Sequence, residues 1–183
     1  MPTLIDRAGP LQDRWSMLDS EGLVAPAAAA TVAGGPGAHL ILSLDQWTLH
    51  GDALVAAGAQ IGIRLEPAEG PEAIAHLLDR IRLVAVHFPS FTDGRGYSTA
   101  RLLRQRYGWA GELRAVGDVL RDQMFYLARC GFDTFELKDG EDVAAALAAF
   151  GDFTEVYQEA ADRGPLFRRR PQPAGSESTS AAR

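Results

Sequence analysis

Leu83-Val84-Ala85-Val86-His87-Phe88-Pro89-Ser90-Phe91-Thr92-Asp93-Gly94-Arg95-Gly96-Tyr97-Ser98-Thr99-Ala100-Arg101-Leu102-Leu103-Arg104-Gln105-Arg106-Tyr107-Gly108 is the stretch whose reading decides the fold. Its first four residues are apolar without alternation, the pattern of a strand buried on both faces of a parallel sheet. Pro89 ends the strand because it has no N–H to give a ladder. The chain then spends Asp93, Arg95 and two glycines, Gly94 and Gly96, in a loop at the strand's carboxyl end, the edge where open α/β sheets bind ligands. A helix is predicted over Ser98 to Tyr107, with Ser98 as N-cap, Leu102, Leu103 and Tyr107 on one face, and Gly108 as its stop.

The same strand-then-helix unit recurs on both sides. Upstream, His39 to Leu44 is a strand, followed by Asp45-Gln46-Trp47 and a helix through Asp52 to Ala57 that Gly58 ends. A second strand runs from Ile61 to Leu65, and Pro71 starts a helix carrying Ile74, Leu77, Leu78 and Ile81 at helical spacing. Downstream, Glu112 to Val116 is a strand, Asp118 is placed to cap a helix over Val119 to Arg129, and Gly131 closes it. Asp133 to Leu137 follows, and Lys138 to Asp142 starts a last helix to Phe150. These repeats predict right-handed βαβ crossovers and a five-stranded, mainly parallel sheet over 38–150. An eight-fold barrel takes about 250 residues, so the expectation is an open sheet or a partial barrel.

The flanks read differently. Residues 1–25 place Leu4-Ile5, Trp15 with Met17-Leu18, and Leu23-Val24 between turn signals, which predicts a small β-hairpin or meander. Residues 26–37 are alanine, glycine and proline with little to pack, a linker. Residues 151–167 form a C-terminal segment that completes a single domain over 1–167, and 168–183 read as a disordered basic tail.

At 183 residues, 46% hydrophobic and 23% charged, the chain supports one sizeable core. Its net charge of −6 divides unevenly: 168–183 hold four arginines and one glutamate, leaving −9 on the rest. An acidic body argues against a nucleic-acid binder. No apolar run reaches the roughly 18 residues of a membrane span, the amino terminus lacks the order of a signal peptide, and the lone Cys130 fits a reducing compartment. A cytoplasmic protein is expected.

Parallel strands gather their carboxyl-end loops on one face: Asp45 with Gln46, Glu66, Asp93 to Tyr97, Gly117 to Arg121, and Lys138 to Asp142. Helix amino termini there favour anions, and Arg95 between two glycines adds a fork of donors for a carboxylate, sulfate or phosphate. The candidate anion site is therefore Arg95, Gly94, Gly96, Tyr97 and Ser98, with Arg121 from the neighbouring loop. The competing reading is that the glycines only turn the loop and that Arg95 pairs with Asp93. The run Gly94-Arg95-Gly96-Tyr97-Ser98-Thr99 has two glycines of the dinucleotide fingerprint but a threonine for the third, so it is a weak nucleotide signal. Asp93, His87 and Asp118 are the candidates for moving a proton; a lone histidine in an apolar strand is commonly a hydrogen-bonded structural residue instead. His39, His50 and His76 have no ligand spacing, so no metal site is expected. No cofactor is identified.

Three runs carry a resemblance: Phe88 to Leu103, Gly111 to Gln123, and Arg129-Cys130-Gly131-Phe132-Asp133, with support from Asp13-Arg14-Trp15, Leu40 to Trp47 and Pro165 to Arg170. Through them the chain resembles a bacterial domain-of-unknown-function family, labelled oxidoreductases of sulfite reduction and encoded beside assimilatory sulfite reductase. The resemblance implies an accessory protein of assimilatory sulfite reduction, with sulfite reductase or its reductant as partner. It assigns no catalytic residue. The alternative is an oxidoreductase or other enzyme that binds an anionic small molecule or a nucleotide cofactor at the 93–98 loop.

Overall fold

Seven strands appear in chain order: β1 (Thr3–Ile5), β2 (Ser16–Met17), β3 (His39–Leu42), β4 (Gln60–Leu65), β5 (Leu83–Phe88), β6 (Glu112–Gly117) and β7 (Thr134–Leu137). They come from a computed structural model, which describes residues 3–18 and 37–152. All seven join one sheet in the order β1-β7-β6-β5-β4-β3-β2. From β3 to β7 each strand lies parallel to the next one in sequence, so every crossover steps in the same direction and the connecting helices collect on one face. The result is an open, curled half-barrel.

The five predicted repeat strands are present, but the sheet is larger and mixed. The first described residues make only a minimal hairpin, a turn over Asp6–Gly9 closed by an isolated antiparallel bridge between Ile5 and Pro10, and the two strands of this region do not pair with each other. β1 pairs antiparallel with β7 at one edge, while β2 pairs parallel with β3 at the other. The reason is physical: β1 and β2 are only 3 and 2 residues long, too short to stabilise each other, and each finds a ready partner in an unpaired sheet edge. The chain between them crosses the concave face, where Trp15 packs on Ile41, Leu83, Ala85 and Val116. The Leu23-Val24 strand, all but Gly37 of the 26–37 linker, all but the first two residues of the 151–167 segment, and the 168–183 tail lie outside the described residues.

Strand parity divides the sheet into two environments. Leu40, Ile61, Ile63, Val84, Val86, Phe88, Leu113, Ala115, Phe135 and Leu137 face the helices and form the main core with Leu54, Ile74, Leu77, Leu103 and Leu127. The alternate residues face the concave side. There the polar Arg64, His87, Glu112, Arg114, Thr134 and Glu136 sit among the smaller apolar floor.

Several helix boundaries depart from the sequence expectation. Helix α1 (Leu44–Ala56) starts directly after Ser43, which forms a capping box with Gln46, so Asp45 and Gln46 belong to its first turn. The segment after Pro71 is a 3₁₀ helix, Pro71–Leu77. Helix α2 (Arg95–Gln105) begins three residues before Ser98, which caps nothing; Gly94 holds the N-cap position. Asp118 is not a cap either: a 3₁₀ turn, Arg121–Gln123, precedes α3 (Met124–Cys130). Helix α4 (Val143–Ala149) is capped by Asp142, whose carboxylate accepts from Ala144 and Ala145 N–H. Among the described residues no helix is long and apolar enough to cross a membrane.

Candidate functional site

The carboxyl-edge loops meet as the parallel order requires, and hydrogen bonds tie them to one another. Asp118 follows Gly117, the last residue of β6, and its carboxylate accepts the Phe91 N–H at 3.0 Å and the Lys138 ammonium at 2.7 Å. Gln123 donates through Nε2 to the Phe91 carbonyl at 3.2 Å and to the Tyr97 hydroxyl at 3.1 Å. Both backbone groups of Phe91 are thus held while the residue stays 56% exposed. The hydrogen bond from Lys138, with that from Phe91 N–H, holds the Asp118 carboxyl below its ordinary range, and Asp118 raises Lys138 in return.

The 93–98 loop adopts the competing geometry. Arg95 donates to Asp93 through Nε at 3.0 Å and Nη2 at 2.6 Å, and its backbone N–H adds a third bond at 3.1 Å. Gly94 has φ −83, and a Cβ added there would meet nothing closer than 4.0 Å, so nothing in the turn demands glycine at that position. Gly96 is required for packing: a Cβ would lie 2.5 Å from Phe88 Cζ. The Tyr97 ring packs at a tilt against Phe88, 5.3 Å between centroids, and Tyr126, 5.0 Å, and burial pushes its hydroxyl pKa up. Ser98 is exposed on the first turns of α2. Arg121 turns away from Asp118 and pairs with Asp122 at 3.2 Å and Asp152 at 3.1 Å.

Asp93 supplies a direct test of this pairing. The Arg95 guanidinium lowers its pKa from 3.8 to about 2. A depressed carboxyl contributes stability above its unfolded value, and that contribution disappears as pH falls through about 2. In a carboxyl ¹³C NMR titration, Asp93 of the wild type is expected to turn over near pH 2, and Arg95→Ala to return it towards 3.8. An unchanged midpoint in the variant would show that Arg95 does not hold it.

His87 lies elsewhere, on the concave face. The register sets Arg64 beside Ala85, and one step further sets Glu66 beside His87. His87 Nδ1 is 2.6 Å from Glu66 Oε2, and the other Glu66 oxygen is 2.8 Å from Arg64 Nε. Glu66 N–H donates to Glu69, which fixes the turn from which this carboxylate projects. Further along that row of the sheet, Glu136 is half-buried and its carboxyl pKa is raised, chiefly by desolvation and against the pull of Arg114.

The structure therefore brings Asp118 to the loop that carries Asp93 and Arg95, and leaves His87 and Arg121 out of that cluster. Sequence reasoning missed Lys138 as the partner of Asp118 and Glu66 as the partner of His87. The second had a signal: Ile61-Gly62-Ile63-Arg64-Leu65-Glu66 alternates, placing Arg64 and Glu66 on one face.

A family model described as bacterial protein of unknown function (DUF934) matches residues 62–167, taking in the carboxyl-edge loops from Glu66 onward and the His87–Glu66 pair. No curated protein matches the chain.

Proposed function

The chain belongs to the DUF934 family of bacterial proteins of unknown function, and from that premise we propose that it is an accessory protein of assimilatory sulfite reduction. It works by contact, presenting the carboxyl-edge surface around Phe91 to sulfite reductase or to its electron supply. The place in sulfite reduction rests on the resemblance carried by Phe88 to Leu103, Gly111 to Gln123 and Arg129 to Asp133. The contact reading rests on Phe91. A phenyl ring kept in water on a loop whose N–H and carbonyl are both tied down is a preorganised anchor, the kind of group that dominates interface energetics. The charges around it are already paired, Arg95 with Asp93 and Lys138 with Asp118, which makes a polar rim of low net charge.

The enzyme reading, with an anionic small molecule or nucleotide cofactor at 93–98, stands second. An anion there must first displace Asp93 from Arg95.

The test is an affinity capture from a lysate of the native host grown on sulfate, with tagged wild type and Phe91→Asp as baits. Wild type is expected to enrich sulfite reductase subunits or their reductant. Phe91→Asp should lose at least about tenfold of that enrichment, or about 1.4 kcal/mol, with an unchanged melting temperature because the ring is exposed. Equal enrichment by both baits, or no sulfite-reduction protein with the wild type, rejects the reading.

A further inference from the structure

A cleft of about 480 Å³ opens at the carboxyl end of β3 and β4, on the concave side; Met17, Leu18, Ile41, Ser43, Gln46, Arg64 and Glu66 form its walls, and Phe91 is not among them. We propose that it binds a small carboxylate monoanion with an apolar tail, the carboxylate on Arg64 and the tail against Ile41 and Met17.

Arg64 carries the argument. Its side chain is 27% exposed and its Nε is buried, 2.8 Å from Glu66 Oε1 but without the alignment of a hydrogen bond. Among the described residues, no hydrogen bond reaches any of its guanidinium nitrogens. Of the other described arginines, Arg129 is buried with its guanidinium 5.9 Å from the Phe125 ring centroid, and the rest fall into two groups. Arg80, Arg95, Arg104, Arg114 and Arg121 are hydrogen-bonded to carboxylates. Arg7, Arg14, Arg82, Arg101 and Arg106 are exposed to water. Arg64 stands between these groups: its Nε is buried beside Glu66 without a hydrogen bond, and its terminal nitrogens, not hydrogen-bonded among the described residues, are open to the cleft.

The remaining groups select the ligand. Glu66 lies on the Nε side of the guanidinium, and His87 holds Glu66 there, so the two terminal nitrogens stay available as a fork for a planar carboxylate. Ser43 Oγ accepts the Gln46 N–H, which leaves its hydroxyl proton to donate. The Gln46 amide is committed at both ends, to Ser43 N–H and to the Leu18 carbonyl. Glu66 on the wall repels a dianion such as sulfate or phosphate more strongly than a monoanion. Ile41 is 4% exposed on the floor while Met17 is 52% exposed at the rim, so an alkyl tail covers methionine that otherwise faces water. A cleft of this volume suits a small ligand.

The experiment is calorimetric titration of the full chain with sodium acetate, sodium hexanoate and sodium sulfate at constant ionic strength, in the millimolar range. Hexanoate is expected to bind at least about tenfold more tightly than acetate, and sulfate to give no saturable heat. Arg64→Gln should weaken hexanoate at least about tenfold, and Met17→Glu should bring hexanoate down to the acetate level. Met17 is exposed, so that variant keeps the test valid if Arg64→Gln fails to fold. Absence of hexanoate binding, sulfate binding as tight as hexanoate, or full affinity in either folded variant overturns the proposal. Phe91→Asp must bind hexanoate like wild type, which separates this site from the proposed contact surface.

Discussion

Gly117→Ala lowers the melting temperature by roughly 6–12 °C and abolishes whatever the Phe91 surface does. Gly117 ends β6 with φ +99, a conformation that costs a residue with a Cβ about 1–3 kcal/mol. The added carbon would also lie 2.4 Å from the Phe88 carbonyl oxygen and 2.7 Å from His87 Cδ2. The Phe88 carbonyl cannot retreat, because it accepts the Asp118 N–H at 2.7 Å and Phe88 is paired in register with Gly117. Strain and clash together reach roughly 3 kcal/mol, and each kcal/mol moves the midpoint of a chain this size by roughly 2–4 °C. The conformational change falls on Asp118, so the Phe91 N–H loses its acceptor and the ring its fixed position. Gly94→Ala is the control: φ is −83 and the nearest atom to its Cβ is Tyr97 Cδ2 at 4.0 Å, so stability should stay within about 0.5 kcal/mol. Scanning calorimetry decides the matter. A Gly117→Ala protein that melts with the wild type would mean that the β6 terminus is freer than this geometry allows.

That single glycine shows what the sequence could and could not convey. The βα repeats were legible because local signals repeat: an apolar run, a stop such as Pro89, and a helical stripe such as Leu102-Leu103. Their parallel order follows from the helical crossovers that join them, and the right-handed crossover sets on which face the helices lie. The ends of the sheet were not legible. Thr3–Ile5 and Ser16–Met17 are too short to have a pattern of their own, and only the free edges of β7 and β3 make strands of them. Helix starts failed for a related reason. Ser98 has the side chain of a cap, yet Gly96 has to sit in a helical turn against Phe88, which moves the start of α2 to Arg95.

For the site, the sequence put the right loops on one edge but could not pair their charges. Arg95 with Asp93 is a contact between near neighbours, visible in the sequence as the competitor of an anion site. Lys138 with Asp118 and Glu66 with His87 join loops 20 and 21 residues apart, and only the register of the strands sets them together. The same register builds the concave face, where β4, β6 and β7 alternate as half-polar strands although β5 reads as wholly apolar up to His87.

The concave face yields the other large effect. Arg114→Met should destabilise the protein by about 3–5 kcal/mol at pH 7, or roughly 6–20 °C, although it replaces a charge with an apolar side chain of similar length. Arg114 is 2% exposed; it donates to Asp13 at 2.7 Å and to Glu112 at 3.0 and 3.2 Å, and Thr134 donates to the same Glu112 oxygen. Removing the guanidinium leaves Glu112 charged on a part-buried face with one neutral donor. The loss has a pH signature. Burial already raises Glu136 above its ordinary 4.5, and Arg114 is the largest influence holding it down. Without Arg114 it rises further. A raised carboxyl contributes stability below its unfolded value of 4.5 and loses it as pH climbs through the folded one, so acidification to about pH 4.5 should narrow the gap between variant and wild type. Adding Glu112→Leu to Arg114→Met should recover much of the loss at pH 7, because the uncompensated charge leaves with it, while Asp13, 36% exposed, turns to water. Urea unfolding of the three proteins at pH 7 and pH 4.5 gives the comparison. A gap that widens on acidification would show that packing, not charge, is what Arg114 provides. The same variant reaches the cleft at the other end of the face: Asp13 anchors the segment that carries Met17, so Arg114→Met should also blunt the preference for hexanoate over acetate while Arg64 keeps its hold on the carboxylate.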